Sequence, residues 1–143
     1  MSGSSRHLAR RAAIQALYQW DMTQQSRMEI EKHFLSDDSL KKSDADYFHE
    51  LIREIPRLVE ELDANLKPYI DRNINQVDPI ERAVLRLSAY ELLHHAEIPY
   101  RVVLNEAIEL SRTFGSENSY RFVNGILDKM GTEVRSIEAA AGQ

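Results

Sequence analysis

The stretch that decides the fold is Gln76–His95, QVDPIERAVLRLSAYELLHH. It opens with Asp78-Pro79-Ile80-Glu81. An aspartate before a helix accepts a hydrogen bond from a free backbone N–H of the first turn. Pro79 then stands at the first helical position, where its missing N–H costs nothing. Glu81, three residues after the cap, has the place from which a carboxylate reaches back to complete a capping box. The residues that follow are apolar on more than one face: Ala83, Val84, Leu85, Leu87, Ala89, Tyr90, Leu92 and Leu93. A helix apolar nearly all round belongs between other helices. The stretch therefore reads as the central helix of an all-α domain.

The rest of the chain supplies helices to surround it. Ser5 is placed to cap a first helix over about Arg6–Met22, preceded by MSGSS as a flexible leader. Met28, Ile30, Phe34 and Leu35 give a helix of about two turns, followed by a loop at Ser36-Asp37-Asp38-Ser39. Ser43-Asp44-Ala45-Asp46 resembles another cap box. Behind it, Phe48, Leu51, Ile52, Ile55, Leu58, Val59, Leu62 and Leu66 recur at spacings of three and four. Pro56 interrupts this pattern, giving either a kink near Ile52–Ile55 or two helices that meet there. Pro68–Arg72 reads as one or two helical turns, and Asn73–Gln76 as a polar connection. Tyr100–Phe114 is a helix stopped by Gly115. Ser116 is expected to cap a last helix that ends at Gly131, with a tail over 132–143. Gly125 inside that helix costs up to ~1 kcal/mol relative to alanine, so a close approach by another helix is expected there.

Composition bounds the function. The 143 residues fit one domain with a sizeable core. The net charge of -5 excludes a protein that coats nucleic acid by bulk charge, while a local basic patch remains open. There is no cysteine, which excludes disulfides, thiol nucleophiles and cysteine-ligated zinc. No apolar run approaches the roughly 18 residues that span a bilayer, and the N-terminus lacks the apolar core of a secretory signal. A soluble cytoplasmic protein is expected. There is no phosphate-binding glycine loop, no His-Glu-x-x-His and no nucleophile elbow. Glu106 and Glu109 lie one turn apart on an ordinary charged face. His94 and His95 are adjacent, so they do not share a helix face as metal ligands would; they suit the negative end of a helix dipole.

Two surfaces carry residues suited to RNA. On the first helix, Ala9, Ala12, Ala13, Ala16, Leu17 and Trp20 gather on one side. His7, Arg10, Arg11, Gln15, Tyr18 and Gln19 occupy the other. Arginine pairs with phosphate, amides reach base edges, and tyrosine stacks on an unpaired base. The plain alternative is a solvated helix face. In SENSYRFVN, residues 116–124, Asn118, Arg121 and Phe122 fall at i, i+3 and i+4 and share a face at a helix N-terminus, where free N–H groups favour phosphate. Here the plain alternative is a core Phe122 and a solvated Arg121. The RNA reading gains weight where the two faces adjoin.

The segments RHLARRAAIQALYQWD, IERAVLRLSAYELL and IPYRVVLNEAIELSRTFGSENSYRFVNGILDKM together resemble the NusB family of bacterial transcription antitermination factors. The likeness covers most of Arg6–Met130. It implies an all-α fold of about seven helices in two packed helical subdomains. It implies binding of boxA-type single-stranded RNA in nascent ribosomal RNA transcripts, a heterodimer with NusE (a small ribosomal-subunit protein), and recruitment to an elongating RNA polymerase complex. No catalysis or cofactor belongs to that role. Carried over by position, the RNA-contacting residues are Arg6, His7, Arg10, Gln15, Tyr18, Asn118, Arg121 and Phe122. Glu81 matches a NusE-contact position, where a capping role would compete. Asn105 and Asn124 fall among core residues. The chain departs from the family at His7 and Leu8, where members can carry more arginine, and neutral His7 attracts phosphate less. NusB-like domains also begin certain ribosomal RNA cytosine methyltransferases, for which these 143 residues leave no room. A homodimer that hides the RNA face is the third reading.

Overall fold

The computed structural model describes residues 2–36, 40 and 43–136. Among them the chain is all-α: α1 (Ser2–Met22), α2 (Arg27–Leu35), α3 (Ala45–Arg57), α4 (Val59–Leu66), α5 (Pro79–His94), α6 (Tyr100–Phe114) and α7 (Ser119–Val134). They form two compact units that divide between Leu58 and Val59.

In the first unit α1, α2 and α3 pack on one another. The alanine side of α1 is closed, with Ala9, Ala13, Ile14 and Ala16 fully buried; small residues let a neighbouring backbone come close. Ile30 and Phe34 of α2 join Phe48, Leu51, Ile52 and Ile55 of α3, and the Phe34 and Phe48 rings stack at 5.7 Å. α1 begins at Ser2, not Arg6, so Ser5 lies inside the helix instead of capping it, and the expected leader is helical from residue 2. The Ser5 carbonyl accepts the Asp44 N–H at 3.1 Å, which ties these first turns to the start of α3. Asp44, one residue later than expected, caps α3 through the Tyr47 N–H at 3.0 Å. Pro56 does not kink a continuous helix. The helix ends at Arg57, where Leu58 N–H closes on the Glu54 carbonyl, and α4 starts at Val59.

The second unit is built around α5, which packs against α4, α6 and α7. Every residue from Arg82 to Leu92 is buried, as the all-round apolar pattern requires. Asp78 accepts the N–H groups of Ile80 and Glu81 at 3.0 and 3.2 Å. Among the described residues no return bond from Glu81 forms, so the box is half made. Its two buried arginines are answered by neighbours. Arg86 forks onto Asp63, and Arg82 donates to the carbonyls of Ile74, Asn75 and Val77. The segment 73–76, expected as a plain connection, holds a 3-10 turn with its own Asn73/Gln76 capping box.

Three glycine and capping expectations are corrected. Ser116 does not cap α7; its N–H donates to Ser119 Oγ at 3.0 Å, and Asn118 takes the cap position without a side-chain bond. Among the described residues a Cβ on Gly125 would meet nothing within 4 Å, so no other helix approaches there. The close approach is instead at Gly131, where a Cβ would lie 3.1 Å from the Tyr100 ring, and the helix runs on to Val134. Gly115 does stop α6, in extended backbone. A Cβ there would fall 2.7 Å from the Ser111 carbonyl oxygen and from Ser119. The expected loop at 37–39 and the end of the tail, 137–143, lie outside the described residues.

Candidate nucleic-acid interface

In the first unit the candidate residues lie along α1. Gln15 and Tyr18 stand three residues apart and are exposed, Tyr18 at 39%. An exposed tyrosine on a helix is a ready stacking surface for an unpaired base. Arg6 is partly exposed and placed by α3. Its guanidinium lies 4.4 Å from the centre of the Tyr47 ring, with Asp44 Oδ2 at 3.9 Å from Nε. His7 is half-buried.

Arg10 departs from its expected solvent face. It is 4% exposed, with its guanidinium 5.5 Å from the same Tyr47 ring. Buried Tyr47 thus has Arg6 and Arg10 around it. The helical wheel set Arg10 on the polar side, but α3 covers that part of α1.

In the second unit Asn118 and Arg121 are exposed where α7 begins, and Phe122 is half-buried. The Arg72 guanidinium lies 4.9 Å from the Phe122 ring centre. Arg72 in turn donates to Asp71 at 2.9 Å. Beside Arg121, Tyr120 receives a hydrogen bond from Arg121 Nε at 3.1 Å, and Arg112 lies 4.6 Å from its ring centre. The Arg121 hydrogen bond, with the charges of Arg121 and Arg112, holds the Tyr120 phenol below its ordinary value. Arg72, Arg112 and Tyr120 were not legible as site residues. They stand apart in sequence or off the i, i+3, i+4 face, and only the packing of 67–76 and α6 beside α7 brings them together. The pattern is a set of cations each held against an aromatic ring, which suits phosphate beside stacked bases.

Glu81 is half-buried on α5, and its carboxylate takes no part in capping. The anticipated competition between cap and partner contact therefore does not arise. Asn105 is exposed and Asn124 half-buried, so neither is the core residue expected. His94 pairs with Glu61 at 3.0 Å and His95 with Glu97 at the end of α5. Among the described residues no cluster of three or more potential metal ligands occurs, and no helix is long and apolar enough to cross a membrane.

The sequence profile of the NusB family matches residues 7–132, nearly the whole described chain. The chain belongs to the NusB family. A transcription antitermination protein NusB of Nitrosococcus oceani is 52% identical over 133 residues, covering 93% of this chain and 89% of its own. One from Idiomarina loihiensis is 49% identical over 129 residues, covering 90% and 93%. Among solved structures, a T. maritima NusB superposes with a TM-score of 0.76 at 32% identity, covering 90% of this chain and 91% of that one. A chain from a structure of the antitermination factors NusB and NusE in complex with dsRNA superposes with a TM-score of 0.80 at 27% identity, covering 91% and 98%.

Proposed function

We propose that this chain is a transcription antitermination factor that binds boxA-type RNA of nascent ribosomal RNA transcripts together with NusE and joins an elongating RNA polymerase in the cytoplasm. The family match over residues 7–132 carries the role. The solved relative held with NusE and RNA supports both partners. In this reading Gln15 and Tyr18 meet bases. Arg6, His7 and Arg10 form the basic end of α1, with Arg10 supporting it from beneath. Asn118, Arg121 and Phe122 contact the strand from the start of α7, and Glu81 faces NusE. No catalytic step and no cofactor enter. An acidic chain fits shared binding, with NusE supplying further phosphate contacts.

The test is fluorescence anisotropy of a labelled boxA-type RNA, with and without NusE, against a scrambled strand and a duplex. Gln15→Ala, Tyr18→Ala and Arg121→Ala are the variants of choice, because these side chains are exposed. Arg10→Ala would also disturb packing. Partner-enhanced, sequence-selective binding is expected, weakened by each variant. With about three or four phosphates neutralised, the log-log salt slope for a single strand should be roughly -2 to -3. Equal binding to scrambled RNA, or none even with NusE, would return the chain to a helical interaction module. Dimers in sedimentation without an RNA shift would favour the homodimer.

A further inference from the structure

A groove of about 660 Å³ opens in the first unit, and none of the residues assigned above lines it. The end of α1 supplies Trp20, the first residue of α2 supplies Arg27, and the last turns of α3 supply Arg53, Glu54, Pro56 and Arg57. Its volume is that of a small-ligand site. Three arginines and one carboxylate line it, and that carboxylate is already taken. Arg57 donates to both Glu54 oxygens at 2.6 and 3.2 Å, and Arg53 donates at 3.2 Å. Arg27 is half-buried, and among the described residues its side chain has no hydrogen bond or ion pair. The lining residues thus carry an excess of positive charge, and their one acid is paired. The Trp20 indole and the Pro56 ring supply flat apolar walls.

We propose that this groove binds a nucleoside phosphate, with the phosphate between Arg27 and the α3 arginines and the base against Trp20. Arginine forks fit phosphate oxygens in pairs, and indole stacks on any base. Glu54 positions the α3 arginines; its carboxyl is held down to about 2 by the Arg57 hydrogen bond first and by Arg53. The site is separate from the Tyr18 face. Two residues along an α-helix turn by about 200°, so Trp20 and Tyr18 point nearly opposite ways from α1. The ligand is either a nucleotide of an RNA strand or a free mononucleotide, which share this chemistry.

Trp20 is the single tryptophan of the chain, so its emission reports on this groove. The full chain is titrated with uridine monophosphate, uridine, inorganic phosphate and a uridine hexanucleotide. Saturable quenching by the monophosphate is expected, with uridine and phosphate each at least about tenfold weaker. A hexanucleotide that binds more tightly than the monophosphate assigns the groove to RNA strands; equal or weaker binding assigns it to free nucleotides. Arg27→Gln should weaken the monophosphate about tenfold, the scale of one charged hydrogen bond, with an unchanged circular dichroism spectrum. Arg53→Gln, at a side chain more than half exposed, serves as the second variant. No saturable quenching by the monophosphate in the millimolar range, or quenching unchanged in both variants, overturns the proposal. Quenching that persists where boxA binding fails would leave the groove standing and count only against the antitermination reading.

Discussion

Arg86 of α5 and Asp63 of α4 meet as a two-bond fork, Nε and Nη2 lying 2.9 and 2.8 Å from the two carboxylate oxygens. The Arg86 side chain is 8% exposed and Asp63 22%. The pair lets the most buried helix of the second unit carry a cation on its α4 side. Removing Asp63 takes away the fork that holds Arg86 in a low-dielectric setting. Asp63→Ala should therefore lower unfolding free energy by about 3 kcal/mol. Replacing both by apolar residues of similar volume should recover most of it. Urea denaturation of the single and double variants checks this, and equal losses in both would contradict it.

Arg135 closes the other end of α5. Its guanidinium donates to the carbonyls of Leu92, Ile98, Glu91 and His95 at 3.0, 2.9, 3.2 and 2.9 Å. The Leu92 carbonyl is among the last acceptors of α5, at the negative end of its dipole, while the Glu91 and His95 carbonyls also accept the N–H groups of His95 and Ile98. Arg135→Ala should cost about 2 kcal/mol and speed amide exchange over 91–98 more than elsewhere. Arg135→Lys should restore little, because one ammonium cannot span four acceptors.

Gly125 is the opposite case. It sits in the middle of α7 with open space where a side chain would go. Gly125→Ala should raise stability by up to ~1 kcal/mol through lost unfolded-state freedom. Gly131→Ala, pressed against Tyr100, should lower it. Paired thermal melts of the two variants decide whether space, rather than helix position, sets the sign.

Glu54 gives a pH prediction. Its folded carboxyl lies at about 2 against an ordinary 4.5, chiefly through the Arg57 hydrogen bond. A depressed carboxyl contributes stability that is fully present above the unfolded value and is lost as pH falls from about 4.5 towards 2. Glu54→Gln should thus weaken the protein at neutral pH and approach wild type near pH 2. Stability curves of the two proteins against pH, and carboxyl titration by NMR, test this. In an Arg53→Gln/Arg57→Gln variant the Glu54 midpoint should return towards 4.5.

Much of the architecture is local in origin. The Asp78-Pro79 start, the all-round apolar run behind it and the stop at Gly115 are decided within a few residues, since caps and periodicity act over one or two turns. The sequence by itself therefore determined an all-α chain, a buried α5 and the family to which the helices belong. Other features depended on what came alongside. A polar residue at a helix's flank is solvent-facing or covered according to its neighbour, and Tyr47 of α3 took Arg10 out of solvent. Glycine within a helix signals a close approach only if another element arrives, as at Gly131 and not at Gly125. Arg72 and Arg112 reach the aromatic rings of α7 from distant parts of the chain. Tertiary structure alone decided these, because side-chain pairing over long sequence distances leaves no periodic trace in the chain.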